Sequence, residues 1–190
     1  METFSYISVM ISIVLGLGVA NLLNNIGALI RNKHRVVHSS VYYMHCAFTI
    51  LLMFQAWWTV FGYRNYPDWD FFFYLLIISR VSLIYLMTEM LEVNKDSELI
   101  DLDANFMKNK RLFFLFFIVS AMCGAAVQSL VTDSSIFTRV NVLRVLIISF
   151  GLWGAFSNSL KVQKIVAIAF LVIFSAVIIG YRLNLGELSQ

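Results

Sequence analysis

The chain has 190 residues, of which 60% are hydrophobic, 15% aromatic and only 13% charged, with a formal net charge of +3. An ordinary water-soluble domain carries about 25% charged residues, so a soluble fold would have no means of covering this much apolar surface. Each crossing of a hydrocarbon core about 30 Å thick takes about 20 residues, and six crossings leave short connections and no separate soluble domain.

In chain order the apolar runs are Phe4 to Ile30, Val41 to Phe61, Phe71 to Leu91, Leu112 to Leu130, Val140 to Ser157 and Val162 to Tyr181. Proline occurs once, at Pro67, and stretches such as LFFLFFIVSAMCGAAV do not alternate with period two. A transmembrane barrel would alternate. The expected fold class is therefore all-α, a polytopic transmembrane bundle of about six helices (4–30, 41–61, 71–91, 112–130, 140–157, 162–181) forming one domain. The first run lacks a basic leader and a small-residue cleavage site, so it is expected to be a retained helix. The fifth run is short, carries Arg144 and leads almost directly into the sixth. These two are expected to form a tight hairpin around Asn158 to Lys161, with the fifth the segment most prone to be re-entrant.

Lysines and arginines divide unevenly between the connections. Arg31, Lys33 and Arg35 lie in the first, Lys95, Lys108, Lys110 and Arg111 in the third, and Lys161 and Lys164 in the fifth, nine residues against Arg64, Arg139 and Arg182 on the other side. Positive charge concentrates on the cytoplasmic face, so the odd connections are expected there and both termini outside. The third connection, 92–111, is the longest. Leu99, Leu102, Phe106 and Met107 recur in it near helical spacing, as in a short amphipathic helix at the inner surface or a solvated linker.

Within the first helix Ser8, Ser12, Gly16, Ala20, Asn24 and Ala28 repeat every four residues. Small residues let helices approach closely in lipid, so the stripe marks packing within the bundle or an oligomer interface. Shorter versions are Ser120 with Gly124, Gly151 with Ala155, and Ala176 with Gly180.

Arg80 stands near the middle of the third helix, where a charge costs at least about 2.5 kcal/mol on insertion scales. Its helical neighbours Leu76, Ile77, Leu83, Ile84 and Met87 include no acid, and the hairpin between the second and third helices brings Gln55 to a similar depth. Arg80 with Gln55 is thus a candidate polar path or anion site, the alternative being a structural arginine held by neutral groups. Arg144, close to a helix end, is expected to snorkel. Asn21, Asn24, Asn25, His45 and Glu89 form a candidate inner polar layer, able to relay protons or to satisfy one another. Tyr63, Tyr66 and Trp69, with Trp57 and Trp58 a turn inside, read as an interfacial aromatic belt.

Cys46 and Cys123 lie in apolar runs and read as small hydrophobes. The sequence holds no phosphate-binding glycine loop, no paired metal ligands and no nucleophile with a base, so no catalytic residues, no metal and no cofactor are expected and the chain is not read as an enzyme. Its basic residues flank membrane segments and do not form a nucleic-acid patch.

The opening YISVMISIVLGLG, Tyr6 to Gly18, resembles the YLSV-x-x-SI-x-LGLG opening of a family of small uncharacterised multi-span bacterial inner-membrane proteins. Gln55-Ala56-Trp57-Trp58, with His45 before and Trp69 after, and NFMKNKRLFF, Asn105 to Phe114, are similar to further patches of that family. The resemblance covers about the first 115 residues, leaves Arg80 outside the pattern, and implies a bacterial cytoplasmic (inner) membrane setting with no assigned activity.

Two functions follow as expectations: a small homo-oligomeric channel or transport component, or a membrane-embedded accessory subunit that docks a cytoplasmic partner through 92–111, similar in size and type to the small membrane proteins that accompany prokaryotic antiviral systems. The charge asymmetry also makes a direct prediction. A topology reporter fused after Gln190 is expected to read as non-cytoplasmic, and a cytoplasmic signal would overturn the six-span alternation.

Overall fold

The computed structural model describes residues 2–95, 97–131 and 139–180; Tyr181 and Arg182, invoked above, lie outside them. Six helices dominate: α1 Glu2–Arg31, α2 Ser40–Gly62, α3 Phe71–Met90, α4 Leu102–Val131, α5 Arg139–Phe156 and α6 Leu160–Gly180. All but α5 are long and apolar enough to cross a membrane, and the all-α bundle expected from the sequence is the architecture observed. With 18 residues, α5 is about 27 Å long.

Helix starts are set by side-chain oxygens that accept otherwise orphaned backbone N–H groups. Ser39 Oγ accepts from Tyr42 N at 3.2 Å, Asp70 Oδ1 from Phe73 N at 2.7 Å, and Asp101 Oδ1 from Ala104 N at 3.0 Å. The Asp101 cap explains a difference from the sequence reading. Capped there, α4 runs unbroken from Leu102, so residues 102–111 are its first turns and not a separate surface helix, and the third connection is correspondingly short.

The helices stack in two layers, α1, α2 and α6 on one side and α3, α4 and α5 on the other. Neighbours touch within each layer, and α1 and α2 meet α3, α2 meets α4, and α5 meets α6 across it. Phenylalanines from both layers fill the centre. Phe48 of α2 lies 4.6 Å from Phe170 and 5.0 Å from Phe174 of α6, and 5.4 Å from Phe117 of α4. Such pairs add about 0.5–1.5 kcal/mol beyond the area they bury, which matters where lipid tails make burial itself nearly neutral.

The odd connections gather at one end of the bundle. Val36 and Val37 pair in parallel with Ile100 and Asp101, Ser39 Oγ donates to Asp103 Oδ1, and Lys110 reaches the α5–α6 turn. At the opposite end Tyr66 Oη donates to Leu130 O at 3.3 Å, and Tyr66 and Trp69 pack on Phe73. Along α4, α5 touches both levels, through Arg144 to Gln128 and through Ala155 to Lys110. That separation is about 27 Å at 1.5 Å per residue, so α5 lies antiparallel to α4 over nearly its full depth.

Close packing of small residues occurs between α4 and α5. A Cβ added to Gly154 would lie 2.5 Å from Phe114 Cζ, and a ring locked among Phe106, Phe113 and Phe170 cannot retreat. A Cβ added to Gly16 of α1 would meet no atom of another helix within 4 Å. Gly154→Ala is therefore expected to destabilise the bundle by about 1–3 kcal/mol and Gly16→Ala to leave the detergent-solubilised monomer unaffected; equal melting midpoints for the two variants would contradict this packing.

Candidate functional site

Arg80 lies near the middle of α3, half-buried, with its Nε enclosed. Side chains on a helix lean toward its N-terminus, so Arg80 leans toward the end of the bundle that carries the α2–α3 connection. Gly124 of α4 makes room for it: a Cβ there would lie 3.2 Å from both Cζ and Nε of the guanidinium, which therefore rests flat against the α4 backbone. Ser120, one turn away, donates weakly to Arg80 O at 3.4 Å. Gln55 Oε1 accepts from Arg80 Nη2 at 3.3 Å, a long hydrogen bond, while Gln55 Nε2 donates to Thr59 Oγ1 at 3.0 Å. Arg80 Nε is enclosed and has no partner. The structure thus brings Arg80 and Gln55 together.

Two further groups lie within electrostatic range of this guanidinium, the phenol of Tyr63 and the guanidinium of Arg144. Arg144 Nη2 donates to Gln128 Oε1 of α4 at 2.7 Å, and both side chains are part-buried. Burial holds the Tyr63 phenol above its usual value near 10.0, with the two arginines pulling the other way, so it remains a neutral hydroxyl donor. Among the described residues the one ion pair is Lys95 with Glu92, exposed and 3.2 Å apart. Among the described residues no carboxylate pairs with Arg80.

The inner polar layer divides into parts that do not act as one. Asn21 Nδ2 donates to Glu89 Oε1 at 2.8 Å and to Thr88 Oγ1 at 3.1 Å. Asn25 Nδ2 donates to Tyr42 Oη at 2.5 Å and Leu91 O at 3.0 Å, and Asn25 Oδ1 accepts from Val93 N at 3.3 Å. Tyr42 Oη donates to the same Leu91 carbonyl at 2.6 Å. These bonds close the C-terminus of α3, whose last carbonyls have no partner within the helix. Asn105 and Asn109 of α4 complete the closure on Glu92 O and Met90 O.

His45 and Glu89 share no hydrogen bond. The His45 ring sits 4.2 Å from Phe106, with Phe113 and Phe114 edge-on, and its Nδ1 donates to Val41 O at 2.9 Å. That leaves Nε2 facing an aromatic wall with no hydrogen-bond partner among the described residues, so His45 and Glu89 are not joined in a relay. Asn24 is exposed.

On α1, Ser12, Gly16 and Ala20 are exposed and Ser8 is partly so. From Ser8 to Asn24 the stripe does not pack inside the chain's own bundle, where α1 is buried instead through Ile7, Ile11, Leu15 and Leu22, whereas Ala28 at its end is buried. Among the described residues from Ser8 to Ala20, its one side-chain hydrogen bond to another helix is Trp57 Nε1 donating to Ser12 Oγ at 3.2 Å. Small-residue contact is found instead at Gly124, Gly151 and Gly154.

Lys110, counted above only as a loop charge, is the residue sequence reasoning missed. It is 2% exposed, and its ammonium donates to Ser157 O at 2.7 Å, Asn158 Oδ1 at 3.0 Å and Ala155 O at 3.3 Å. Gln163 of α6 adds bonds to Gly154 O at 2.8 Å and Ser157 O at 3.0 Å. Together they close the C-terminus of α5 and fix the hairpin. The available signal was spacing: Lys110 falls four residues after Phe106 and three before Phe113, on the buried face of a helix that starts earlier than hydropathy suggests.

Among the described residues no three His, Cys, Asp or Glu side chains gather as a metal site. No protein-family model, curated protein or solved structure matches the chain. Lys110→Met leaves the α5 carbonyls without their cation and is expected to cost about 1.5–3 kcal/mol. Amide exchange at 155–158 should accelerate more than at the Phe48 level of α2; equal protection before and after substitution would show that the lysine does not hold the turn.

Proposed function

We infer that this chain is a small membrane transport component whose polar path runs past Arg80 and Gln55. The observation that carries this reading is the half-buried Arg80, whose Nε is enclosed and whose one hydrogen-bond partner among the described residues is a neutral amide. A purely structural cation in a low-dielectric interior is expected to be fully hydrogen-bonded, as Lys110 is. Arg80 keeps donors uncommitted, and intramembrane charges of this kind line ion and substrate pathways. A bacterial cytoplasmic membrane and a homo-oligomer are part of the reading. The exposed stripe Ser8, Ser12, Gly16 and Ala20 supports the oligomer as a face along which a second α1 can approach closely.

A second reading, an accessory subunit docking a cytoplasmic partner, is favoured by one feature. The end bearing the odd connections is pre-ordered by the Val36–Ile100 ladder and presents Leu99 and Val37, 64% and 47% exposed, beside Lys95 and Lys108. Scrambling 94–99 would then abolish capture of a specific partner.

For the transport reading, purified protein in liposomes is expected to support ion flux, and Arg80→Ala to reduce it about tenfold or more, the equivalent of one charge-assisted hydrogen bond. Absence of flux in the native chain, or equal flux in the variant, would overturn it.

A further inference from the structure

We propose that Lys161 and Lys164, on the lipid-facing side of α6 at the end that carries the odd connections, form a binding site for the phosphate of an anionic phospholipid. The inference is separate from the transport reading and holds whether or not the chain carries ions.

Helix geometry places the two lysines together. Residues three apart on a helix are neighbours, with Cβ atoms about 5–6 Å apart, and both lysines are exposed. Deeper along α6 the exposed side continues through Ile165, Ile168 and Val172, whereas Gln163, Val166, Phe170 and Phe174 turn into the bundle. Lys161 and Lys164 therefore belong to the side of a membrane-crossing helix that meets lipid, not to a face covered by the chain itself. Side chains lean toward the N-terminus of their helix, which for α6 is the end of the odd connections. Each lysine thus lays its stem along hydrocarbon and delivers its ammonium to headgroup level, as long basic side chains do near helix ends.

Charge selects the partner. From Arg139 to Gly180 the chain contains no Asp or Glu, so the α5–α6 hairpin has no acid of its own to offer. Among the described residues neither lysine makes a hydrogen bond, and the one ion pair, Lys95 with Glu92, does not involve them. The nearest turn acceptors, Ser157 O and Asn158 Oδ1, are already taken by Lys110. Lys108 and Arg111 repeat the basic pair on the exposed side of α4, but Asp101 and Asp103 stand at that same helix end, so the α6 pair is the one without an acid nearby in its hairpin. Two adjacent ammonium groups held at headgroup level repel each other unless an anion lies between them, and the anion always present at that level is a lipid phosphate. Phosphatidylglycerol offers its phosphate with net negative charge. Phosphatidylcholine carries a quaternary ammonium that offsets its own.

The test uses the full chain reconstituted in phosphatidylcholine vesicles, with Ile168→Trp placing a fluorophore on the same side of α6, one turn deeper than Lys164. Its emission is read as the difference between this variant and the native chain. Part of the host lipid is replaced, at equal mole fraction, by phosphatidylglycerol or phosphatidylcholine brominated on the acyl chains, which quenches a tryptophan in contact with it. Phosphatidylglycerol is expected to occupy the site about twentyfold more strongly than phosphatidylcholine, roughly fivefold for each lysine. Lys161→Gln and Lys164→Gln should each lower the preference about fivefold, their combination should remove it, and Lys164→Arg should keep it. Equal quenching by the two lipids, a preference unchanged in the double variant, or its loss in Lys164→Arg would overturn the proposal. A preference abolished by adding inorganic phosphate would overturn it as well, assigning the site to a free phosphate and not to a lipid.

Discussion

In hydrocarbon the last carbonyls of a helix have no water to turn to, and each one left unsatisfied costs several kcal/mol. The ends of α3 and α5 that meet the odd connections are built around this constraint. Asn25 and Tyr42 reach from α1 and α2 to Leu91 O, and Asn105 and Asn109 reach from α4 to Glu92 O and Met90 O. Lys110 and Gln163 do the same for Ala155, Gly154 and Ser157. Every one of these donors comes from a different helix than the carbonyl it serves. Satisfying the backbone therefore also fixes how helices are arranged, and the bundle is joined at that end by side-chain donors as much as by shape.

The rest of the packing follows from that frame. With α4 tied to the ends of both α3 and α5, a glycine comes to lie at each of its two contacts, its own Gly124 under Arg80 of α3 and Gly154 of α5 under its Phe114 ring. The phenylalanine cluster around Phe48, Phe117 and Phe170 then fills the space between the layers. Close helix contact in lipid needs small residues on at least one partner, and here the large partner is an aromatic ring or a guanidinium.

Much of this was legible in the sequence. Hydropathy and the absence of alternation gave six helices and an all-α bundle, and the nine-to-three split of basic residues matches a fold in which the odd connections share one end. The start of α4 was not legible, because Lys108, Lys110 and Arg111 depress hydropathy there; hydropathy averages over a helix, whereas burial depends on one face. The α1 stripe illustrates the converse. Its i, i+4 spacing is real, but periodicity states only that small residues share a face, not what lies opposite. The pairing of Arg80 with Gln55 was recoverable because two antiparallel helices joined by a short connection have a depth register fixed by the chain. The separation of His45 from Glu89 was not, since similar depth says nothing about which way each side chain turns around its own helix.

The contrast between Lys110 and Arg80 bears most directly on function. Both are cations on buried helix surfaces, and neither has a carboxylate partner among the described residues. Lys110 has three N–H donors and three acceptors within 3.3 Å, so its charge is spent on the negative end of the α5 dipole. Arg80 has five donors, one acceptor at 3.3 Å and a second guanidinium in electrostatic range. The same fold thus shows how it satisfies a structural cation completely, with carbonyls drawn from a helix end. Arg80 lies where no helix ends, so no helix-end carbonyls are at hand, and among the described residues its one side-chain acceptor is the amide oxygen of Gln55.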